Sequence, residues 1–551
     1  MLNVDFLQDV NFSAGGFSVA YGDRLSSVMD IRFREGNRRE FDSQLDMNMA
    51  GLGLVGEGPL AGGKGSWLFS ARKSYLDLLV DAIGTGVAPQ YSDYQGKAVI
   101  DLSSRQRLEF LGVAGIDHIN FDKKTSLDDG KNFYGRADNV ENMVGVNWSW
   151  RGESNWHSET SLSRMYTRYK NRFSATDDDS LGVDDRSSEV SLTLRNVTYY
   201  RLAGGDGFKF GFEEKHIDNN YDSYFKDYRD QYGNLVPALI VNRPVNTDRL
   251  GAFFIYNWNP VPRLELNLGG RADHFTYNGN SHFSPRISFT VKLSEKTALN
   301  GSAGTYYQNL PLAILSQDRD FKELRDLEAL HFILGISRLV SENTRLTVEA
   351  YDKEYRHFPL DPTKPGLFPA DEGASHERLV DSGRAFTRGI EVVLQKKLAV
   401  DFYGLVSGSV YQSRYQGYDG IWRDRIYGNR YLFSLEGGRI FSQKWESSLR
   451  WVFAGGRPYT PFDLTATRAL DTGIYDLSRI NGKRHPAYHS LNFRVDRRFN
   501  FRDSNLVLYW DLWNVYNRKN IASYYWNEVE NKVDRENQWS LLPVFGLEWE
   551  F

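Results

Sequence analysis

Aromatic side chains set among charges are the feature of this 551-residue chain that most directly suggests ligand chemistry. We predict a long polar loop over residues 218–247, whose rings could stack on sugars or on another aromatic molecule. The alternative is that these rings bind nothing specific, because long loops are often aromatic. The candidate ligand-binding residues are Tyr221, Tyr224, Phe225, Tyr228 and Tyr232.

Oxygen and nitrogen ligands for a metal occur in two places, and neither has the spacing of a known metal site. Residues 174–180 with Asp184 and Asp185 form an acidic run that could bind Ca²⁺, but it lacks the spacing and the glycine of a calcium loop. His485 and His489 share one parity on a predicted strand and lie too far apart to share a metal. We interpret the run as a solvated loop and the histidines as structural, and we predict no metal and no cofactor.

Covalent catalysis has little support in the residue types. Cysteine is absent, which excludes a thiolate nucleophile, a disulfide framework and a cysteine metal site. We find no Gly-x-Ser-x-Gly motif in a strand-to-helix context, although distant Ser, His and Asp residues could still assemble a triad. Gly62-Gly63-Lys64-Gly65 lacks the spacing of a phosphate-binding loop and is predicted to be a turn. The sequence predicts that the protein is not an enzyme. Its net charge of -4, without a basic run, argues against a nucleic-acid partner.

The elements that must position these residues are β-strands with two different faces. The last stretch, 541–551, alternates strictly and ends on an aromatic residue, so a strand of period two sends its large apolar side chains to one face. That face suits lipid, and the other, small or acidic, suits a wet interior. The apolar face carries Leu541, Pro543, Phe545, Leu547, Trp549 and Phe551.

The same alternation recurs along the chain, for example over 189–195, 263–273, 445–453 and 491–496. No run of about 18 apolar residues could cross a membrane as a helix. The mean hydropathy is only -0.52, as expected for a barrel in which every second residue meets lipid. A soluble propeller or multi-sandwich protein is the alternative, but no fixed repeat of about 40 to 50 residues is visible.

Connections between the predicted strands alternate between short turns and long loops, which is typical of outer-membrane barrels. We therefore predict an all-β fold, a transmembrane antiparallel β-barrel of about 22 strands, wide enough to need a plug. The strands run from a first near residue 38 to a last near 540, with others beginning near 95, 142 and 248. Trp148 and Trp150 are predicted members of an aromatic girdle. Long loops are predicted at 75–95, 116–141, 169–186, 218–247, 308–326, 357–379 and 456–485.

The stretch 15–31 resembles the end of the plug domain of TonB-dependent receptors, in which a Tyr-Gly turn leads into a last plug strand before the barrel. Here the plug-to-barrel motif consists of Tyr21, Gly22, Asp23 and Arg24. The closing strand is also similar to that of the family, which the barrel assembly machinery reads. The corresponding assembly signal consists of Phe545, Leu547, Trp549 and Phe551. The resemblance covers nearly the whole chain and is closest to large receptors that often carry a carboxypeptidase-like regulatory domain.

The resemblance implies two domains, the C-terminal remnant of the plug at residues 1–36 and the transmembrane β-barrel at 37–551. It implies an outer-membrane receptor of a Gram-negative bacterium that takes up a scarce siderophore, oligosaccharide or peptide into the periplasm. The implied partners are outer-membrane lipid, the barrel assembly machinery, an unknown small ligand and the TonB complex, the last through an N-terminal region absent here.

The chain also departs from the family pattern, because the signal peptide, the TonB box and most of the plug are not found in it. We therefore expect a fragment or a truncated gene model. The alternatives are a passive outer-membrane channel, an adhesion or assembly barrel, and, less favoured, a soluble multi-sheet binding protein or hydrolase.

Overall fold

The computed structural model describes residues 2–76, 89–128, 131–153, 155–202, 204–369, 378–470, 472–527 and 530–551. Outside the described residues lie 77–88 and 370–377, which are parts of the loops predicted at 75–95 and at 357–379.

The main feature of the described residues is one antiparallel β-sheet that closes on itself. Its wall consists of twenty-two strands, which we number in chain order: β1 Asp42–Asn48, β2 Gly51–Leu60, β3 Gly65–Ser74, β4 Gln90–Ser103, β5 Gln106–Phe121, β6 Phe133–Arg151, β7 Trp156–Arg168, β8 Ser188–Arg201, β9 Gly207–Phe225, β10 Leu239–Val261, β11 Leu264–Phe275, β12 Ser281–Ser294, β13 Thr297–Gln308, β14 Leu327–Ser341, β15 Thr344–Leu360, β16 Val380–Ala399, β17 Phe402–Gln416, β18 Tyr431–Ser442, β19 Trp445–Ala454, β20 Tyr488–Asn500, β21 Asn505–Trp513 and β22 Leu542–Glu550.

Pairing of β1 with β22 closes the wall, with Gln44 opposite Glu550. Just beyond this pair, the Ser43 amide donates to the Phe551 carbonyl at 2.8 Å, and the Phe551 amide donates to the Ser43 carbonyl at 2.9 Å. Closure matters because backbone N–H and C=O groups in a bilayer core have no water to bond. The prediction of an antiparallel barrel of about 22 strands is confirmed.

Three wall strands begin earlier than the alternation predicted. β4 begins at Gln90 rather than near 95, β6 at Phe133 rather than near 142, and β10 at Leu239 rather than near 248. The predicted loops at 116–141 and 218–247 are therefore too long. The physical reason is that these strands continue beyond the bilayer into water, where neither face has to be apolar, so the hydrophobic alternation that marks a strand is lost.

The two rims of the barrel differ, as predicted. Connections that follow the even-numbered strands contain only two to five residues, which defines a short-turn rim. The opposite rim carries the long connections, among them 455–487 and 514–541. The glycine-rich stretch predicted to be a turn lies at the short-turn rim as the 3-10 turn Ala61–Gly63, with Gly62 at φ 66°, a backbone angle that glycine adopts without strain.

The outward face of the wall is apolar and bears aromatic rings. Trp148 and Trp150 lie on β6 toward the short-turn rim and are 44% and 40% exposed on the outer surface, as a girdle requires. On the closing strand β22, Phe545 and Trp549 are also exposed, and Phe545 stacks on the outward Trp510 of β21 with ring centroids 5.5 Å apart. The predicted parity of the last strand is confirmed.

Residues 2–41, which we call the N-terminal segment, lie inside the barrel rather than in its wall. They contain the 3-10 turn Val4–Phe6 and a separate antiparallel hairpin of Leu7–Ser13 with Val28–Phe33. The stretch between the two hairpin strands, residues 14–27, runs along the inner wall.

The remaining elements are short and belong to the connections. The α-helices are Lys123–Asp128, Leu312–Leu315 and Leu464–Leu470, and two further 3-10 turns are Asp320–Glu323 and Leu477–Arg479. Among the described residues, no helix has both the length and the apolar character needed to cross a membrane. The short strands are Asn171–Ala175, Leu181–Asp185, Tyr228–Arg229, Leu235–Val236, Trp422–Asp424, Pro458–Tyr459, Lys483–Arg484, Ile521–Asn527 and Lys532–Asn537.

Candidate functional site inside the barrel

Apolar side chains of the N-terminal segment fill recesses in the inner wall. Phe17 packs against Tyr306 of β13 with ring centroids 4.6 Å apart. Val19 and Ala20 are buried in a cluster with Phe253 of β10 and neighbouring wall residues. Because all of these side chains are almost fully buried, the segment is docked in a defined position.

Arg286 of β12 is the centre of this interface. Its Nη1 donates to three carbonyl oxygens of the segment, those of Phe17 at 3.2 Å, Ser18 at 2.7 Å and Tyr21 at 3.1 Å. The guanidinium also lies over the ring of Tyr306, 4.0 Å from its centroid. Charged donors make stronger hydrogen bonds than neutral ones, and the buried position of Arg286 limits competition from water.

Three further wall cations bind the same stretch, and with Arg286 we call them the cation clamp. Lys353 of β15 donates to the Ala14 carbonyl, and Arg195 of β8 donates to the Ala20 carbonyl at 3.1 Å. Arg249 of β10 forms an ion pair with Asp23. The clamp thus holds the segment mainly through its backbone, at five carbonyl groups and one carboxylate.

Asp23 is the acidic residue of the stretch that enters the clamp. Its second oxygen accepts a hydrogen bond from the backbone amide of Asn309 at 2.9 Å. Burial raises the pKa of the Asp23 carboxyl above its ordinary value, although Arg249 acts in the opposite direction. Tyr21 donates to Asp30 at 2.9 Å, and burial together with this carboxylate raises the pKa of Tyr21 to about 12.

Glycine at position 22 is required by the close approach of the wall. A Cβ at this position would lie 2.2 Å from Nε of Arg271 on β11. Arg271 is itself buried and bonded to Asp273 at 2.8 Å, so it has little freedom to move away. The glycine of the predicted Tyr-Gly pair therefore has a packing reason. Arg24 is mostly exposed, and its Nη1 donates to the carbonyl of the neighbouring Asp23.

A second set of contacts holds the segment near the short-turn rim. Arg34 makes a two-pronged ion pair with Glu57 of β2, with N–O distances of 2.7 and 2.8 Å. Lys97 of β4 donates to the Phe33 carbonyl at 2.7 Å. The hydrogen bonds and ion pairs between segment and wall thus fall on β1–β5 and on β8–β15.

At the opposite rim, the long loops are braced against one another. The Tyr475 amide donates to the Gln231 carbonyl at 2.6 Å, and the rings of Tyr232 and Tyr475 lie 5.5 Å apart, which joins connection 226–238 to connection 455–487. Tyr415 of β17 donates to the Gly366 carbonyl at 2.9 Å, which holds the loop after β15 against the wall. These contacts hold the long loops against one another and against the wall.

The predicted ligand-binding aromatics are not brought together. Tyr221, Tyr224 and Phe225 lie on β9 and not in a loop, so their predicted placement is wrong. Tyr221 is buried, and its hydroxyl donates to Glu189 at 2.8 Å. Tyr228 and Tyr232 do lie in a connection, the first exposed and the second beside Tyr475. The error arose because β9 and β10 remain paired over this stretch, while the charged and polar residues between the aromatic ones made it resemble a loop.

The other candidate residues have structural surroundings. The acidic run forms the tip of the hairpin Asn171–Ala175 with Leu181–Asp185, where Asp179 pairs with Lys123. Among the described residues, no group of three or more His, Asp or Glu side chains is arranged to hold a metal ion. His485 lies before β20 and not on it, which corrects the predicted strand position, and it stacks on Tyr524 with centroids 5.0 Å apart. His489 bonds the Tyr516 hydroxyl at 2.7 Å.

The cation clamp itself was missed by the sequence reading. Arg195, Arg249, Arg286 and Lys353 sit on the inward, polar parity of their strands, together with many other charged residues. Parity shows that a side chain faces the lumen, but it does not show what the side chain contacts there. The sequence feature that comes nearest to indicating the clamp is the Tyr-Gly motif, because a glycine allows a neighbouring group to approach the backbone closely.

A closed barrel of twenty-two strands with an apolar outer belt and a segment clamped in its lumen defines a large outer-membrane barrel protein. A family model described as TonB dependent receptor-like, beta-barrel, matches residues 71–517. The chain therefore belongs to the TonB-dependent receptor family, whose members are transport receptors of the outer membrane of Gram-negative bacteria. Proteins of this family bind small ligands such as siderophores and interact with TonB.

Solved structures show the same fold at low sequence identity. A variant of the ferric enterobactin receptor PfeA of Pseudomonas aeruginosa aligns with a TM-score of 0.75 and 14% identity over 100% of this chain and 86% of that chain. The ferripyoverdine receptor of Pseudomonas aeruginosa aligns with a TM-score of 0.71 and 13% identity over 96% of this chain and 74% of that chain. The siderophore receptor PiuA of Acinetobacter baumannii aligns with a TM-score of 0.71 and 11% identity over 99% of this chain and 86% of that chain. Comparison with curated protein sequences gives no match.

Proposed function

We propose that this protein imports a scarce small ligand across the outer membrane into the periplasm, driven through TonB. The observation that carries the proposal is the cation clamp, which fixes residues 14–23 inside a closed barrel by their carbonyl groups. A passive pore has no need to bind a peptide segment in its lumen. A transporter that opens by moving part of an internal domain needs such a fixed point, because a pull on one end of a domain separates that end from the rest only if the rest is held.

In this proposal, residues 1–36 are the C-terminal part of the plug domain and residues 37–551 are the barrel. The clamp anchors the plug to β8–β15, and TonB acts on plug sequence on the N-terminal side of that anchor. The braced loops at the long-loop rim form the outer entrance. Membership of the family supports a small ligand captured outside the cell, and so do the structural neighbours, which are receptors for ferric enterobactin and ferripyoverdine.

The test is import into a Gram-negative host that expresses the protein. Radio-iron complexes of enterobactin and pyoverdine, and a panel of labelled oligosaccharides and peptides, are offered to cells with and without TonB. We expect one of these ligands to accumulate only when TonB and the proton motive force are both present. Arg286→Met should lower that accumulation while the amount of folded barrel, measured by its heat-dependent electrophoretic mobility, stays unchanged.

A passive channel is the second candidate. The observation on its side is a cavity of about 560 Å³ on the inner wall of β19–β22, whereas the polar contacts between the described segment and the wall lie on β1–β5 and β8–β15. The two candidates differ in ion conductance across a planar bilayer. A steady conductance without TonB, together with ligand uptake that is equal in cells with and without TonB, would establish the channel and exclude the importer.

A further inference from the structure

A groove of about 320 Å³ lies in the outer surface of the wall, centred on β17 and β18. Its floor is the backbone of Gly404 and Gly437, which are paired directly across the two strands. A Cβ at Gly404 would have the Glu436 carbonyl oxygen as its nearest atom, at 3.2 Å, and a Cβ at Gly437 would have the Tyr403 carbonyl oxygen, at 3.0 Å. The two glycines therefore leave a gap between the side chains of the outer face.

Apolar side chains surround this floor on every strand from β16 to β20. They share the outward parity and are between 37% and 47% exposed: Leu394, Phe402, Val406, Leu435, Leu449 and Phe493. Because the groove belongs to the outer surface, the N-terminal segment and the rest of the lumen lie on the other side of the wall. Its exposure is thus independent of what fills the barrel.

The groove lies near the short-turn rim. Lys396 is three residues from the end of β16, and Phe402 is the first residue of β17. The short turns of outer-membrane barrels face the periplasm, so the groove lies at the depth of the periplasmic leaflet, which consists of phospholipids. Val406 and Leu435 lie on the bilayer-centre side of the glycine pair, where acyl chains would lie, and Arg439 lies on the rim side, where headgroups would lie.

Lys396 is the first of two outward cations at the rim end of the groove. It lies directly opposite Gly404 across the β16–β17 pair. Its Nζ donates one long hydrogen bond to Asn343 at 3.3 Å, and within the described parts of the chain it has no carboxylate partner. A cation on a lipid-facing surface is destabilising unless it lies close to the headgroups, so Lys396 favours an anionic group beside it.

Arg439 is the second cation. Its Nε donates to Asp401 in the turn after β16, at 3.1 Å, and its guanidinium lies over the ring of Phe441. These two contacts hold the side chain near the groove. Glu436 lies on the opposite, inward parity of β18 and pairs with Arg450, so it does not neutralise this surface. Two cations and one carboxylate leave the rim end of the groove with a net positive charge.

We propose that this groove binds an anionic phospholipid of the periplasmic leaflet, with its phosphate between Lys396 and Arg439 and an acyl chain over the glycine pair. The two cations lie two strands apart, about 10 Å across the sheet, and both side chains are long enough to reach a phosphate between them. The net positive charge favours phosphatidylglycerol over the zwitterionic phosphatidylethanolamine.

The same charges disfavour a second copy of this chain as the occupant. A two-fold symmetric dimer formed through the groove would bring the same surface patch of both copies together. Lys396 and Arg439 would then face their own counterparts, and like charges repel. The inference goes beyond ligand import, because the site faces lipid and does not involve the lumen.

Native mass spectrometry of the folded, detergent-solubilised chain tests the inference. The probes are dioleoyl phosphatidylglycerol and dioleoyl phosphatidylethanolamine at equal concentrations. We expect one phosphatidylglycerol to be retained per barrel, with Lys396→Gln and Arg439→Gln each raising its Kd about fivefold. Arg164→Gln is the matched control, since Arg164 is exposed on the outward parity of β7, opposite Val144 and toward the long-loop rim, and should leave Kd unchanged.

A second pair of variants tests the position of the acyl chain. Gly404→Leu places a side chain on the floor of the groove and should abolish retention of phosphatidylglycerol. Gly112→Leu is its control, because Gly112 lies on the outward parity of β5 and a Cβ there would meet only Val144, at 3.9 Å. Heat-dependent electrophoretic mobility confirms that each variant has folded.

Three outcomes would overturn the proposal. They are equal retention of the two lipids or of neither, a Kd for phosphatidylglycerol that neither charge variant changes, and a dimer of the chain that Gly404→Leu dissociates. The charge variants keep the test decisive if Gly404→Leu does not fold, because they alter only side chains at the rim end. Neither TonB nor an imported ligand enters the measurement, so its failure leaves the import proposal unchanged.

Discussion

Replacement of Arg286 by methionine is the most direct perturbation of the cation clamp. Methionine keeps an apolar stem against Tyr306 but removes every donor. Three carbonyl oxygens of the N-terminal segment then lose a charged donor. The Phe17 carbonyl still accepts from the Tyr306 hydroxyl at 3.4 Å and the Ser18 carbonyl from the Tyr21 amide at 3.1 Å, so among the described residues only the Tyr21 carbonyl is left without a donor. Each hydrogen bond contributes about 1 kcal/mol net. The variant also avoids the cost of burying a guanidinium, which reduces the loss slightly. We therefore expect the docking free energy to fall by about 2 to 3 kcal/mol.

Hydrogen exchange measured by mass spectrometry reports this loss, because protected amides exchange only when the segment opens. A loss of 2 to 3 kcal/mol corresponds to exchange that is roughly 30 to 150 times faster in residues 14–25. Amides of the barrel wall should keep their protection, since their hydrogen bonds lie between strands and do not involve Arg286.

Arg497→Met is the matched control. Arg497 lies on the outward parity of β20, where its guanidinium stacks on Trp445 at 4.5 Å and on Phe499 at 5.0 Å. Its loss removes a cation from a barrel strand without touching the segment. Unchanged exchange in residues 14–25 of a folded Arg286→Met protein, or equal acceleration in both variants, would refute the reasoning that the clamp holds the segment.

Three further predictions concern the same interface and the closure of the wall. Gly22→Ala places a Cβ against Arg271 and should cost about 1 to 3 kcal/mol of docking free energy. Faster proteolysis of the segment would report this loss. Gly204→Ala is the control and should have no effect, because a Cβ there would meet no atom within 4 Å. The docked state raises the pKa of Asp23 and so binds a proton more tightly than the undocked state. The docking free energy of the segment should therefore become more favourable as the pH falls from 7 through the raised pKa, and less favourable as the pH rises again. Asp23→Asn should abolish this part of the pH dependence, measured by hydrogen exchange. Deletion of Phe551 should lower the yield of heat-modifiable folded barrel in the membrane, and a normal yield would contradict its role as an assembly signal.

The wall of the barrel could be predicted because its physical requirement repeats at every second residue. Lipid outside and water inside impose opposite polarities on the two faces of each strand, so the alternation at 541–551 or 263–273 is visible without any tertiary information. The strands that begin at Gln90, Phe133 and Leu239 were predicted to begin later, because that requirement does not hold at these strand ends. Above the bilayer both faces meet water, and a strand there resembles a polar loop.

The candidate site could be predicted only in part. The Tyr-Gly motif was recognised from its resemblance to the family, and the structure supplies its physical reason in the contact between Gly22 and Arg271. The aromatic residues proposed as ligand contacts were misplaced because the charged and polar residues between them hide the continuation of strand β9.

The sequence by itself determined the class of the protein, an antiparallel outer-membrane barrel of about 22 strands, because a bilayer acts on each residue locally through the polarity of its side chain. The tertiary structure alone decided which inward residues form the site. Arg286 and Ser18 are separated by 268 residues and meet at 2.7 Å. Such a contact depends on the register of twelve successive wall strands and on the path of the segment through the lumen, and no local pattern encodes either of them.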